Sequence, residues 1–298
     1  MDTASVESPE TGNAGVIEAW DTVLFDKFLR FRHLLTDGLC KHGDTLLERH
    51  PPQPGMHVLD IGCGFGDMTQ QIADLVGKNG KAVGVDCARR FVTASEQDAS
   101  ENRSRAAFFV GDVQADDLGG PYDAMYARFG TMFFMTPVRA YRNMLRSLKP
   151  GAQLSMVAWR VREDNPWIHL AEVVVRELVE ENHDSDEPTC GPGPFSMAGP
   201  NTVSEQLLAA GYERITFERV DHHVCIGRDL DEALEFALAL GPAGEILRLA
   251  AAPVDESRVR SAIREVLEPY VTDTGVWAPS STWIVTARRP VTDAPTPN

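Results

Sequence analysis

Positive charge is scarce: 28 Lys+Arg stand against 44 Asp+Glu in 298 residues, a formal net charge of −16. Gripping a phosphate backbone needs a basic face, and the nearest things to one, Arg30/Arg32 and Arg103/Arg105, are short and isolated. No nucleic-acid partner is expected. No run approaches the roughly 18 apolar residues that span a bilayer, so no membrane partner is expected either. The N-terminus, MDTASVESPETGNAGV, has neither the basic start nor the apolar stretch of a secretory leader. The cysteines (Cys40, Cys63, Cys87, Cys190, Cys225) are odd in number, scattered and never spaced C-x-x-C. That excludes a disulfide framework and a zinc site, and it suits free thiols in a reducing, cytoplasmic setting. The histidines show no ligand-like spacing, so no metal is expected.

What is present is ordinary globular composition, 43% apolar and 24% charged, with enough chain for one large domain or two modest ones. Residues 1–14 and 291–298 are polar and read as unstructured ends. Over 15–53 a stripe of Trp20, Leu24, Phe28 and Phe31 predicts a helical cap, stopped by Pro51, Pro52 and Pro54. Between 54 and 160 five apolar runs (HVLDIG, AVGVD, AAFFVGD, YDAMYAR, QLSMVAW) alternate with segments of helical period. Such alternation predicts a parallel sheet with helices on both faces. Over 161–201 a helix starting at Asn165-Pro166 runs into the acidic, then Gly/Pro-rich stretch 180–200, the signature of a lid or binding loop. The remainder, 202–290, belongs to the same domain: a capping box at Thr202 and Glu205, a helix closed by Gly211, and strands at ERITFERV and TWIVTAR.

The ten residues VLDIGCGFGD (58–67) carry the most information. A buried strand ends near Asp60, and Gly62, Gly64 and Gly66 lead directly into a helix, as a backbone must where a ligand approaches it closely. The spacing is G-x-G-x-G, not the G-x-G-x-x-G of a dinucleotide pyrophosphate site, and Asp67 sits where a phosphate would need positive potential. Asp86 closes the next strand at the distance where an acid accepts from both ribose hydroxyls of an adenosine. Asp112, in Gly111-Asp112-Val113, closes a third. One such acid could simply cap a loop; three at the carboxyl edge of one sheet point to a ligand.

Together these motifs resemble the class I S-adenosylmethionine-dependent methyltransferases. VLDIGCGFGD matches the family's first motif, GVD (84–86) its ribose acid, GDV (111–113) its adenine turn and LKPGA (148–152) the turn before the fifth strand. More narrowly, ARFGTMFF, the NPW start, GPGPF and SSTWIVTAR resemble bacterial small-molecule enzymes related to the ubiquinone/menaquinone-biosynthesis methyltransferases. The resemblance implies an α/β, Rossmann-like sheet of seven mostly parallel strands with TWIVTAR as an antiparallel last strand. The N-terminal helices and the 161–201 insertion would form a lid. It implies S-adenosyl-L-methionine as cofactor and S-adenosyl-L-homocysteine as product. Gly62, Gly64 and Gly66, with Cys63, would line the methionine and ribose part, and Asp60 would help hold the amino group. Asp86, with Cys87, would hold the ribose, Asp112 and Val113 would read the adenine, and Arg128 would lie by the methionine moiety.

Methyl transfer from a sulfonium is an in-line displacement that asks chiefly for positioning and exclusion of water, so a missing catalytic signature does not argue against an enzyme. Tyr126 and His169 are the weak candidates for a base. An apolar acceptor pocket is expected from Trp20, Phe129, Met132, Phe133, Trp159 and Trp167. The Arg-Phe-Gly-Thr after the fourth strand is not the sequence of enzymes that methylate base amines. The leading reading is transfer to a small, largely apolar metabolite, at carbon or oxygen before nitrogen, with a homodimer left open. Two others remain: an NAD(P)-dependent oxidoreductase on the same sheet, and a non-catalytic protein that binds S-adenosylmethionine.

Overall fold

The computed structural model describes residues 13–179 and 192–291. Most of the expected unstructured ends and residues 180–191 of the 180–200 stretch, with Cys190, lie outside the described residues. The chain opens with α1 (Ala14–Ala19), α2 (Phe25–Arg30) and α3 (Cys40–Arg49), joined by wide π-type turns at Trp20–Leu24 and Leu34–Gly38. Then come β1 (His57–Ile61), α4 (Asp67–Val76), β2 (Lys81–Asp86), α5 (Arg89–Glu101), β3 (Ala107–Val110) and β4 (Tyr122–Arg128). They are followed by α6 (Pro137–Ser147), β5 (Leu148–Trp159), α7 (Pro166–Leu178), α8 (Pro200–Ala210) and β6 (Glu213–Gly227). The last elements are α9 (Leu230–Leu240), α10 (Pro242–Arg248), α11 (Glu256–Leu267), the two-residue β7 (Val271–Thr272) and β8 (Gly275–Arg288).

The strands lie in the order β3-β2-β1-β4-β5-β8-β6, with β7 beside β8. Every pairing from β3 to β5 is parallel, and β8 runs antiparallel to both β5 and β6. The expected seven-strand sheet with its reversed last strand is therefore present, widened by β7. The order turns between β1 and β4, which opens a crevice at their carboxyl ends.

Alternation along the strands decides which side each residue serves. Val58, Ala124, Tyr126 and Val157 pack with Leu46 and Leu47 of α3 and Met68, Ile72 and Val76 of α4. Leu59, Ile61, Met125 and Met156 face the other way, against Tyr141 and Met144 of α6 and the side chains of α7, α8, α9 and α11. Burying both faces explains why these strands read as continuous apolar runs rather than alternating ones.

Two helix starts differ from expectation. Asn165 precedes Pro166 but makes no capping bond. Fully buried, it donates to the carbonyls of Arg160, Val161 and Ser281 and accepts from the Ser281 amide, so it ties the β5–α7 link to β8. Thr202 is not a cap either. The helix begins earlier, at Pro200, because proline's fixed φ suits a first turn; Gly211 does close it, at φ 102°.

Candidate functional site

The crevice is continuous with a cavity of about 910 Å³. On the sheet side it is lined by Gly62, Cys63, Gly64, Asp86, Cys87, Asp112, Val113 and Arg128. The glycine turn is held open by its neighbours. The Gly64 amide donates to Oδ2 of Asp86 at 3.0 Å, the Ala88 amide donates to Oδ1 at 3.0 Å, and Ser95 donates to the Gly64 carbonyl at 2.7 Å. Gly62 and Gly64 take φ of 63° and 56°, the left-handed region that side chains resist, and no atom lies within 4 Å of where a Gly64 Cβ would stand. That empty arc faces the cavity. Burial pushes the Asp86 carboxyl up despite its amide donors.

Two of the ten expected cofactor residues do not line the cavity. Gly66 serves packing: a Cβ there would stand 2.6 Å from the Phe108 ring and 2.9 Å from Ser95. Asp60 lies beneath the turn, 2% exposed, where Oδ2 accepts from Thr69 at 2.6 Å and Oδ1 is buried without a partner. Desolvation pushes its carboxyl up to about 7. The Asp112 side chain turns partly inward, accepting the Gln114 amide at 2.9 Å. Arg128, on the α3/α4 face, pairs with Asp67 of α4 at 2.7 Å, beneath Gly43 of α3. Its partner thus stands in the first turn of α4 rather than on the sheet edge, and Asp67 places a carboxylate where a diphosphate would bind.

On the helical side, five of the six expected pocket residues line the cavity: Trp20, Phe129, Met132, Phe133 and Trp159. Phe129 takes φ 62°, strained for a side chain of that size, and stacks on Trp159 at 4.1 Å with 13° between planes. Trp20 packs edge-on against Phe133 at 4.9 Å. Trp167 does not reach the cavity; it is buried behind, against Trp159 and Phe236. Neither weak base candidate lines the cavity. Tyr126 points to the opposite face and donates to the His50 carbonyl at 2.6 Å, and His169 has a buried Nδ1 with no partner.

The sequence reading missed the far wall, made by Ala239, Leu240, Ile246 and Leu249 of α9, α10 and their ends, with Ile168 of α7. The run LDEALEFALALGPAGEILRLA is apolar enough to announce a buried helix pair, but not which face meets a cavity. His42 was also missed. It reaches from α3 to β8, with Nε2 2.8 Å from Ser280 Oγ and Nδ1 3.0 Å from Thr282 Oγ1, its ring edge-on to Trp159. Burial lowers it to about 3, so it is neutral at physiological pH.

Residues 58–151 match a family described as a methyltransferase domain. A nocamycin O-methyltransferase of Saccharothrix syringae is 26% identical over 182 residues, covering 57% of this chain and 64% of that protein. A ubiquinone/menaquinone biosynthesis C-methyltransferase of Ectopseudomonas mendocina is 27% identical, covering 56% of this chain and 69% of that one. The matches to these and similar relatives span from 33% to 69% of the relatives' own length. Among solved structures, phosphoethanolamine N-methyltransferase 2 of Haemonchus contortus, in complex with S-adenosyl-L-methionine, shares the fold with a TM-score of 0.56 at 14% identity. That likeness covers 92% of this chain and 60% of the other.

Proposed function

Residues 58–151 belong to the S-adenosylmethionine-dependent methyltransferase domains, and from that premise we propose that the chain is a cytoplasmic enzyme methylating a small, largely apolar metabolite at carbon or oxygen. The observation that carries this reading is one continuous cavity, acidic and glycine-lined at the sheet edge and apolar against the helices. The relatives named for O- and C-methyl transfer support the choice of atom. Among the described residues no helix is long and apolar enough to cross a membrane, and no cluster of His, Cys, Asp and Glu could hold a metal.

The residues present fit the methyl donor. The arc beside Gly64 gives room for a ligand against the main chain, and the buried Oδ1 of Asp60 lacks a partner. Bound, S-adenosylmethionine supplies a methyl group already attached to its leaving group. Asp86 accepts from the ribose hydroxyls while its amide donors fix its orientation. Asp112 and Val113 read the adenine edge. Asp60, through the turn above it, favours an ammonium over an anion. Arg128 stays locked to Asp67 and holds α4 in place. Trp20, Phe133 and the Phe129–Trp159 stack exclude water and set the acceptor's approach, which is where positioning catalysis is gained. Residues 15–53 and α7 of the insertion act as the lid.

The test is incubation of the whole chain with methyl-labelled S-adenosylmethionine and a metabolite extract, followed by mass spectrometry. Label in an apolar small molecule, lost in Asp86→Ala, is the expected result. Label found only in protein or nucleic acid overturns the acceptor class.

A further inference from the structure

The cavity-facing residues of α1, α2 and the turn between them are mostly apolar, Val16, Ala19, Trp20, Val23, Leu24 and Phe28, with Glu18 and Thr22 among them and one cation, Lys27. A charge on such a face is out of pattern, because the inward face of a helix is its apolar one. The arginines lining the cavity each have a carboxylate: Arg128 has Asp67, Arg162 and Arg176 share the buried Glu172, and Arg248 has Glu245. Lys27 is half-buried, and its ammonium makes no hydrogen bond or ion pair with any described residue. The acids nearest it in sequence are engaged or distant. Asp26 is paired with Arg90 and Asp21 accepts the Arg90 amide, and Glu18, which also lines the cavity, is on α1, beyond the π-type turn.

We propose that the acceptor is an amphipathic anion, its apolar body lying against Leu24, Phe28, Leu240 and Ile246 and its negative group against Lys27. This rests on the methyl-transfer reading above. A cation without a partner at an apolar-walled cavity is open to an arriving anion, which gains a charge-assisted hydrogen bond there. The chain as a whole, at −16, repels anions, so selection for one must come from a local cation of this kind. The anionic group recognised need not be the atom methylated.

The experiment uses the full chain saturated with S-adenosylhomocysteine and titrates three probes of equal length by calorimetry: decanoate, decanol and decylammonium. Decanoate is expected to bind at least ~10-fold more tightly than decanol, with decylammonium weakest. Lys27→Met, which keeps the apolar stem and helix propensity, should bring decanoate down to decanol's affinity without moving that of S-adenosylhomocysteine; Lys27→Arg should keep the preference. Equal affinity for decanoate and decanol in the wild type, no binding of any probe to the loaded protein, or a preference that survives Lys27→Met overturns the proposal. Failure of S-adenosylhomocysteine itself to bind is a separate result, and it removes the methyl-transfer reading on which this one stands.

Discussion

The sheet-side half of the cavity comes from one stretch of chain, between Gly62 and Arg128, whereas the helical half draws on α1, α2 and the turns that follow them, residues 129–134, the end of β5, α7, Pro194 and α9 to α10. In the first, strand ends deliver Asp86, Asp112 and the glycine turn to one edge, and short backbone hydrogen bonds fix them. In the second, side chains distant in sequence meet only because helices pack over the sheet. The half proposed for the cofactor is thus local and polar, the half proposed for the acceptor dispersed and apolar. An adenosyl group is the same in every such reaction and an acceptor is not, so it is the dispersed wall that is free to vary.

That division can be broken by exchanging where damage is done. Asp86→Ala is expected to abolish measurable binding of S-adenosylhomocysteine in calorimetry, since it removes the carboxylate proposed to hold the ribose, while far-UV dichroism stays unchanged. Ile246→Ala, across the cavity, should leave that affinity within about threefold. Comparable losses in both variants would mean the two halves are not separate.

The glycines sharpen it further. Gly66→Ala forces a Cβ to within 2.6 Å of the Phe108 ring at φ 75°, and should cost about 2–3 kcal/mol in urea unfolding. Gly64→Ala meets open space and should cost only about 1 kcal/mol for its left-handed backbone, yet weaken S-adenosylhomocysteine more than Gly66→Ala does.

Two buried titrating groups on the α3/α4 face of the sheet carry opposite signs. His42 falls from 6.5 to about 3 on folding, so the unfolded chain binds the extra proton. Its contribution is complete above pH 6.5 and is lost as pH falls toward 3. Asp60 rises from 3.8 to about 7, so the folded chain binds the extra proton, and stability declines as pH climbs from 4 to 7. Each should tilt the unfolding free energy by about 4 kcal/mol across its window. His42→Gln should flatten the acid limb and Asp60→Asn the neutral one, read by urea unfolding at pH 4, 5.5 and 7. The smallest effect is Tyr126→Phe, which loses one bond to the His50 carbonyl. It should cost under about 1 kcal/mol and leave methyl transfer unchanged.

How legible each half was follows from the same contrast. The alternation of strands and helices around β1 and the placement of Gly62, Asp86 and Asp112 could be read because turns, strand ends and their spacing are local properties; the reversed β8 was legible only through the family resemblance. Trp167 and Tyr126 could not be placed, because a buried aromatic reads alike whether it faces a cavity or the core behind it. The α9–α10 wall was hidden for that reason too. Asn165 looked like a helix cap because its neighbour Pro166 does begin a helix, while its bonds to Ser281 depend on a strand more than a hundred residues away.

The most direct measurement is a calorimetric titration of the intact chain with S-adenosylhomocysteine and, separately, with NADH. A single site for the first and no heat from the second is the result this account requires. Saturable NADH binding with silence toward S-adenosylhomocysteine would show that the acid-rimmed crevice holds a different nucleotide.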